Sequence, residues 1–154
     1  MVLDDKPSKL CAHGFQFCNW PGNEVAAQFG LSHAVIIPPN ARTILVSGQI
    51  GILDDGRVAD NITQEVNIAF DRVGLALRAA GLGDDAWEYV YKINTFEVST
   101  PGLLEAVMAK AKSVLGNTKP AWTGVGVKNL LHPDLHLEIT VEAFLPEPKS
   151  GSSS

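Results

Sequence analysis

A chain of 154 residues that is 45% hydrophobic and 19% charged has the composition of a soluble globular protein and the length of one domain with a single core. Its formal net charge is −5, and its 12 Lys and Arg never stand next to one another. Nucleic acid is therefore an unlikely partner, because phosphate binding rests on clustered basic side chains.

Residues 1–30 read as irregular, punctuated by Gly14, Pro21, Gly22 and Gly30, with Phe15, Phe17 and Trp20 packing the segment onto the body. Met1-Val2-Leu3-Asp4-Asp5-Lys6 lacks the basic-then-apolar pattern of a signal peptide. No apolar run approaches the length of a membrane span, so a cytoplasmic location away from membranes is expected. Cys11 and Cys18 fit no redox or zinc pattern and read as free thiols. His33–Ile37 and Thr43–Ser47 are rich in β-branched residues and flank Pro38-Pro39-Asn40, which predicts a first hairpin. Asp54-Asp55-Gly56 predicts a turn, and Asn61-Ile62-Thr63 matches a glycosylation pattern that means nothing without secretion.

Over 62–80, Val66, Ala69, Phe70, Val73, Leu77 and Ala80 recur at helical spacing, with Asn61 and Gln64 as a capping pair and Gly81 as the stop. Tyr89–Val98 has strand composition. Thr100 as N-cap and Pro101 at the first helical position predict a second helix. Its buried stripe would be Leu104, Val107, Met108, Ala111 and Val114 or Leu115, and Gly116 would end it. Trp122–Val127 and Leu135–Leu145 predict two last strands. The latter alternates Leu135, Leu137, Ile139, Val141, Ala143 and Leu145 with His136, Glu138, Thr140, Glu142 and Phe144.

The order β-β-α-β-α-β-β predicts an α+β fold, one mixed β-sheet with two helices packed on one face, in a single domain over 1–145. The other sheet face needs a cover, so self-association is expected. Residues 146–154, ending in Gly-Ser-Ser-Ser, predict a disordered tail.

Two segments go further. Leu45-Val46-Ser47-Gly48-Gln49-Ile50, and Lys119-Pro120-Ala121-Trp122-Thr123-Gly124-Val125-Gly126-Val127 with Leu137-Glu138-Ile139-Thr140-Val141-Glu142-Ala143, resemble the signature of the Rid family, the reactive-intermediate deaminases, also called YjgF or L-PSP endoribonucleases. The resemblance spans about His33 to Leu145. It implies a chorismate-mutase-like fold, a homotrimer with sheets closed into a central barrel, ligand clefts between subunits, and hydrolysis of imines or enamines. It also implies that Glu138 orients the hydrolytic water and relays protons, and that the backbone at Ser47 and Gly48 lines the cleft. Local alternatives stay open: Gly48 as a bulge in a twisted strand, Glu138 as a solvated or salt-bridged carboxylate at an interface, and a shifted register in the last strand that would favour Glu142 or Thr140 instead.

The chain departs from the pattern at Trp122, where active members carry an arginine that grips a substrate carboxylate with a fork no aromatic ring can supply. Gly124 stands where many members have cysteine, Gly126 where a glutamate is common, and Leu31 where a tyrosine is usual. The implied pocket is less cationic and more apolar, suited to a neutral or aromatic ligand, unless Trp122 simply plugs it. His33 would supply a titratable group, and Phe96 completes the expected ligand-lining set. His132 and His136 are too loosely placed for a metal site, and no metal or cofactor is expected. The rival readings are a non-catalytic trimer that binds a small metabolite and, less favoured by charge, an endoribonuclease.

Overall fold

Hydrophobic periodicity divides the chain into elements that a computed structural model describes for residues 6–22 and 25–148. The reading of the extreme N-terminus falls largely on residues 1–5, outside the described residues. Of the tail, residues 146–148 carry no regular structure and 149–154 also lie outside. After a 3-10 turn at Lys9–His13 come β1 (Gln16–Cys18), α1 (Val25–Gln28), β2 (Ala34–Ile36), β3 (Thr43–Ile50) and α2 (Ile62–Ala79). A second 3-10 turn at Ala86–Tyr89 precedes β4 (Val90–Glu97), α3 (Leu103–Leu115), β5 (Ala121–Gly126) and β6 (Leu137–Phe144). The two longer helices and the mixed sheet confirm the α+β expectation. No helix among the described residues is long and apolar enough to cross a membrane.

The main sheet runs β3-β6-β4-β5. β6 pairs antiparallel with β3 and β4, while β4 and β5 are parallel and joined through α3. The leucine-bearing edge of β6 (Leu137, Ile139, Val141) lies under α2 and α3. There it joins Val66, Phe70, Val73 and Leu77 of α2, Ile93 of β4 and Val107 and Ala111 of α3 in one core. Each such side chain contributes about 1.5–3 kcal/mol when removed from water.

Three local expectations change. β2 does not form a hairpin with β3. It pairs with β1, Phe17 opposite Val35, in a separate two-stranded sheet. Phe15 is buried with Leu10, Tyr91 and Phe144, and Phe17 and Val35 lean on that second cluster. The N-terminal segment thus supplies a nearer apolar partner than β3 does, and it is not wholly irregular. Phe144 is buried there although its alternation put it on the open face. Trp20, at 60% exposure, does not pack on the body as expected.

Asn61 caps α2 as predicted, accepting from Gln64 N at 2.9 Å, but Gln64 Oε1 accepts from Asp60 N rather than from the cap residue. Thr100 does not cap α3. Its hydroxyl donates to Val98 O, and Gly102, at φ +84°, opens the helix two residues later. The shift turns Leu103 inward and leaves Leu104 exposed. Cys11 and Cys18 are free thiols.

Tyr91 ties the second cluster to β6 by donating to Glu142 Oε2 at 2.9 Å. Burial, then the Glu142 hydrogen bond, pushes its phenol up to about 12. In the unfolded chain tyrosine ionises near pH ~10. The folded state therefore keeps a proton that the unfolded state loses, and this stabilisation, full below that pH, disappears as pH rises through the folded value. Urea midpoints should fall between pH ~10 and ~12, and Tyr91→Phe should flatten that fall. An identical slope in both proteins would show that another group governs it.

Candidate functional site

The parallel register of β4 and β5 sets Ile93 beside Trp122, Thr95 beside Gly124 and Glu97 beside Gly126. These positions face the helices. At the β5 edge of the sheet they border a cavity of about 150 Å³, walled by Phe29, Leu31, Leu104, Val107 and Met108 and floored by Thr95, Glu97, Trp122 and Gly124. The half-buried indole finds an acceptor: Trp122 Nε1–H donates to Thr95 Oγ1 at 3.2 Å. Thr95 is fully buried and passes its own proton on, donating to Glu97 Oε2 at 3.1 Å. A methyl group on Gly124 would sit 3.2 Å from Glu97 Oε2 and 3.3 Å from Thr95 Oγ1, so the glycine leaves the carboxylate its room.

The opposite sheet face carries a second group. β-Pairing puts Phe96 beside Glu138, and Ile50 beside Glu138 on the other flank. The β3–β6 register shifts between Val46 and Gln49, which is the bulge reading of Gly48. A side chain at Gly48 would collide with the Glu138 carboxylate, whose Cδ would lie 2.8 Å from its Cβ. Ser47 is exposed at the bulge, and its carbonyl accepts from Gln49 Nε2. Leu45 is 74% exposed on this face, and Val125, in register with Phe96, is also exposed.

The sequence-predicted residues thus form two sets within one chain: Leu31, Trp122 and Gly124 at the helix-side cavity, and Ser47, Gly48, Phe96 and Glu138 on the open face. His33 belongs to neither. Its ring stacks on Trp20 with centroids 3.3 Å apart, its Nδ1 accepts from Trp20 N at 3.2 Å, and its own N–H donates to Asn19 Oδ1. It clasps the N-terminal segment to β2.

Sequence reading missed three polar residues. Glu97 passed as one more strand residue because its importance arises from cross-strand register. Ser32, bridged to Ala121, has a buried hydroxyl with no partner among the described residues. Glu65 is buried on α2, where Oε1 accepts from the backbone N–H of His136 (2.6 Å) and Leu137 (3.1 Å) and Oε2 lies 2.9 Å from His136 Nδ1. Three orphan polar groups of the β5–β6 connection are thereby satisfied by one carboxylate.

Two larger hollows, of about 530 and 570 Å³, lie over the helices. Part of their charge is already paired, Asp71 with Lys110 and Asp85 and Glu88 with Lys9. Their linings are more polar than that of the β5 cavity. Lys9 is raised by the hydrogen bonds to Asp85 and Glu88. No group of three or more His, Cys, Asp or Glu among the described residues is placed to hold a metal ion.

Residues 22–145 match the family described as Endoribonuclease L-PSP. The RutC family protein YjgH of Escherichia coli strain K12 is 31% identical over 105 residues, which cover 68% of this chain and 76% of that protein. The structure is similar to that of YyfB, a Rid-family protein of unknown function from Yersinia pestis, with a TM-score of 0.72 at 25% identity, over 85% of this chain and 98% of that one. A solved structure of protein YJGH gives a TM-score of 0.60 at 27% identity, over 86% and 98% of the two chains.

Replacing Glu65 would strand the donors it serves. Glu65→Ala should cost about 2–5 kcal/mol, read as a lower urea midpoint. A loss under ~1 kcal/mol would show that the connection is held by other contacts.

Proposed function

The chain belongs to the Endoribonuclease L-PSP family, and we propose that it hydrolyses small imine or enamine intermediates at the C=N bond, releasing ammonia or an amine. Membership supports a small-molecule-processing role; the reaction and its residues are our reading. The observation that carries it is the Glu138 carboxylate set against side-chain-free Gly48, with Phe96 alongside. The space that a Cβ at Gly48 would claim is taken by the Glu138 carboxylate, and a carboxylate seated there and partly enclosed can serve as base and then acid.

Glu138 would accept a proton from water as its oxygen bonds to the imine carbon. That proton would pass to nitrogen to give the carbinolamine; its hydroxyl proton would then move through Glu138 to the same nitrogen as the C–N bond breaks, and the nitrogen would leave with the electron pair as ammonia or amine. The carbonyl product then carries the water oxygen. No cofactor enters this sequence.

Trp122 is separated from Glu138 of the same chain by the sheet. A single cleft using both would combine two copies, as it would in a homotrimer that covers Leu45, Val125 and the rest of the open face. That assembly is part of the proposal. In it Trp122 would stack on the substrate where an arginine would otherwise grip a carboxylate, so substrates without that carboxylate are favoured. The alternative, a trimer that binds a small metabolite without turnover, draws support from the mostly apolar lining of the β5 cavity.

The test is ammonia release from a panel of carboxylated and neutral imines generated in situ, beginning with 2-iminopropanoate, with mass in solution measured alongside. Glu138→Gln should lower the rate about 10²–10⁴-fold and leave the trimer intact. No acceleration of any imine, with saturable binding retained, would favour the binding reading. A monomer in solution would remove the shared cleft.

A further inference from the structure

We propose that the cavity at the β5 edge is a subsite for a small primary ammonium or protonated imine group, anchored by Glu97 and seated against Trp122. The inference deepens the reading above by naming the charge of the ligand, and it rests on that reading only in taking this cavity as the place where the substrate stacks.

The argument begins with an unmatched carboxylate. Glu97 lines an otherwise apolar space and forms no ion pair among the described residues. Oε2 is engaged by the Thr95 hydroxyl at 3.1 Å, whereas Oε1 accepts no hydrogen bond from the described residues. The two oxygens thus divide their work. Thr95, itself oriented by the Trp122 indole N–H, holds one oxygen, and the other is left for a ligand donor. A charge in apolar surroundings is stabilised by pairing, and an ammonium supplies both the opposite charge and the donors.

The walls agree with a cation. Among the described residues no Lys, Arg or His borders the cavity, so a carboxylate ligand would meet Glu97 with none of them to offset the repulsion. The indole of Trp122 attracts cations through the negative face of its ring. Phe29, Leu31, Leu104, Val107 and Met108 would surround a short apolar body. The pocket of about 150 Å³ has room for the head of a compact amine and opens to the surface beside exposed Phe29 and Leu104. Gly124 completes the design, because any side chain there would press on both Glu97 and Thr95.

The experiment compares isobutylammonium, isobutanol and isobutyrate, three probes of matched size and different charge, by calorimetric titration at neutral pH. The indole N–H signals of the intact protein are followed in parallel by NMR, with the Trp122 signal assigned through Trp122→Phe. Isobutylammonium should bind at least about tenfold more tightly than isobutanol, isobutyrate should not bind, and the Trp122 signal should move. Glu97→Gln should erase the preference for the cation while leaving isobutanol affinity unchanged, since an amide oxygen can still accept from Thr95. Equal binding of ammonium and alcohol, or ammonium binding that moves only the signals of Trp20 or Trp87, would overturn the proposal. The wild-type comparison decides even if Glu97→Gln fails to fold. Ammonium binding without imine turnover would remove the hydrolase reading and keep the subsite, while turnover without cation preference would do the reverse.

Discussion

The parallel pairing of β4 with β5 decides which chemistry faces the helices and which faces away. Because side chains alternate across a strand, placing Thr95 beside Gly124 sends Trp122, Gly124 and Gly126 toward α3 together with Thr95 and Glu97. A one-residue slip would reverse every one of them. The register is held by apolar burial, with Ile93 fully inside the main core. It is also held by a polar contact that only this alignment permits, the indole-to-threonine hydrogen bond. The same alignment leaves Thr123 and Val125 beside Asn94 and Phe96 on the open face. One pairing thus creates both candidate surfaces and keeps them apart.

Burial of polar groups follows a consistent logic across the molecule. Trp122 donates to Thr95, Trp87 donates to the Phe70 carbonyl at 3.2 Å, Tyr91 donates to Glu142, and Glu65 gathers donors from the β5–β6 connection. Each removes an otherwise unsatisfied group from the interior. In all four the partner belongs to a different element, so hydrogen bonding also sets how those elements meet. Glu97 stands apart because one of its oxygens is left over.

Where local pattern and tertiary structure agree, the sequence is legible. α2 declares itself by its apolar period and Asn61 cap, and β6 by alternation that survives nearly intact from Leu137 to Ala143. Pairing partners are less legible because strand composition says nothing about which strand lies alongside. His33–Ile37 has the residues of a strand, yet Phe15 and Phe17 bring β1 to it before β3 can. At α3, Thr100 and Pro101 carry the residue types of a helix start, but the hydroxyl is taken by Val98 O and the helix begins later. The candidate site shows the same division. Ser47, Gly48 and Trp122 stand out in linear sequence. Glu97 and Glu65 do not, since their partners are brought together only by folding, across 71 residues or more for Glu65.

The contact between Gly48 and Glu138 couples two distant positions of the chain. The space a side chain would occupy at 48 is already filled by the carboxylate from β6. Divergence at these sites therefore has a preferred order. A shortened residue at 138 frees the space for enlargement at 48, whereas a lineage that enlarged 48 first would carry a Glu138 carboxylate swung out of its seat through the intermediate step. Among relatives, a residue larger than glycine at the position of Gly48 should be found with a residue smaller than glutamate at that of Glu138, which makes the two positions a marker of whether the open-face site has been kept or given up.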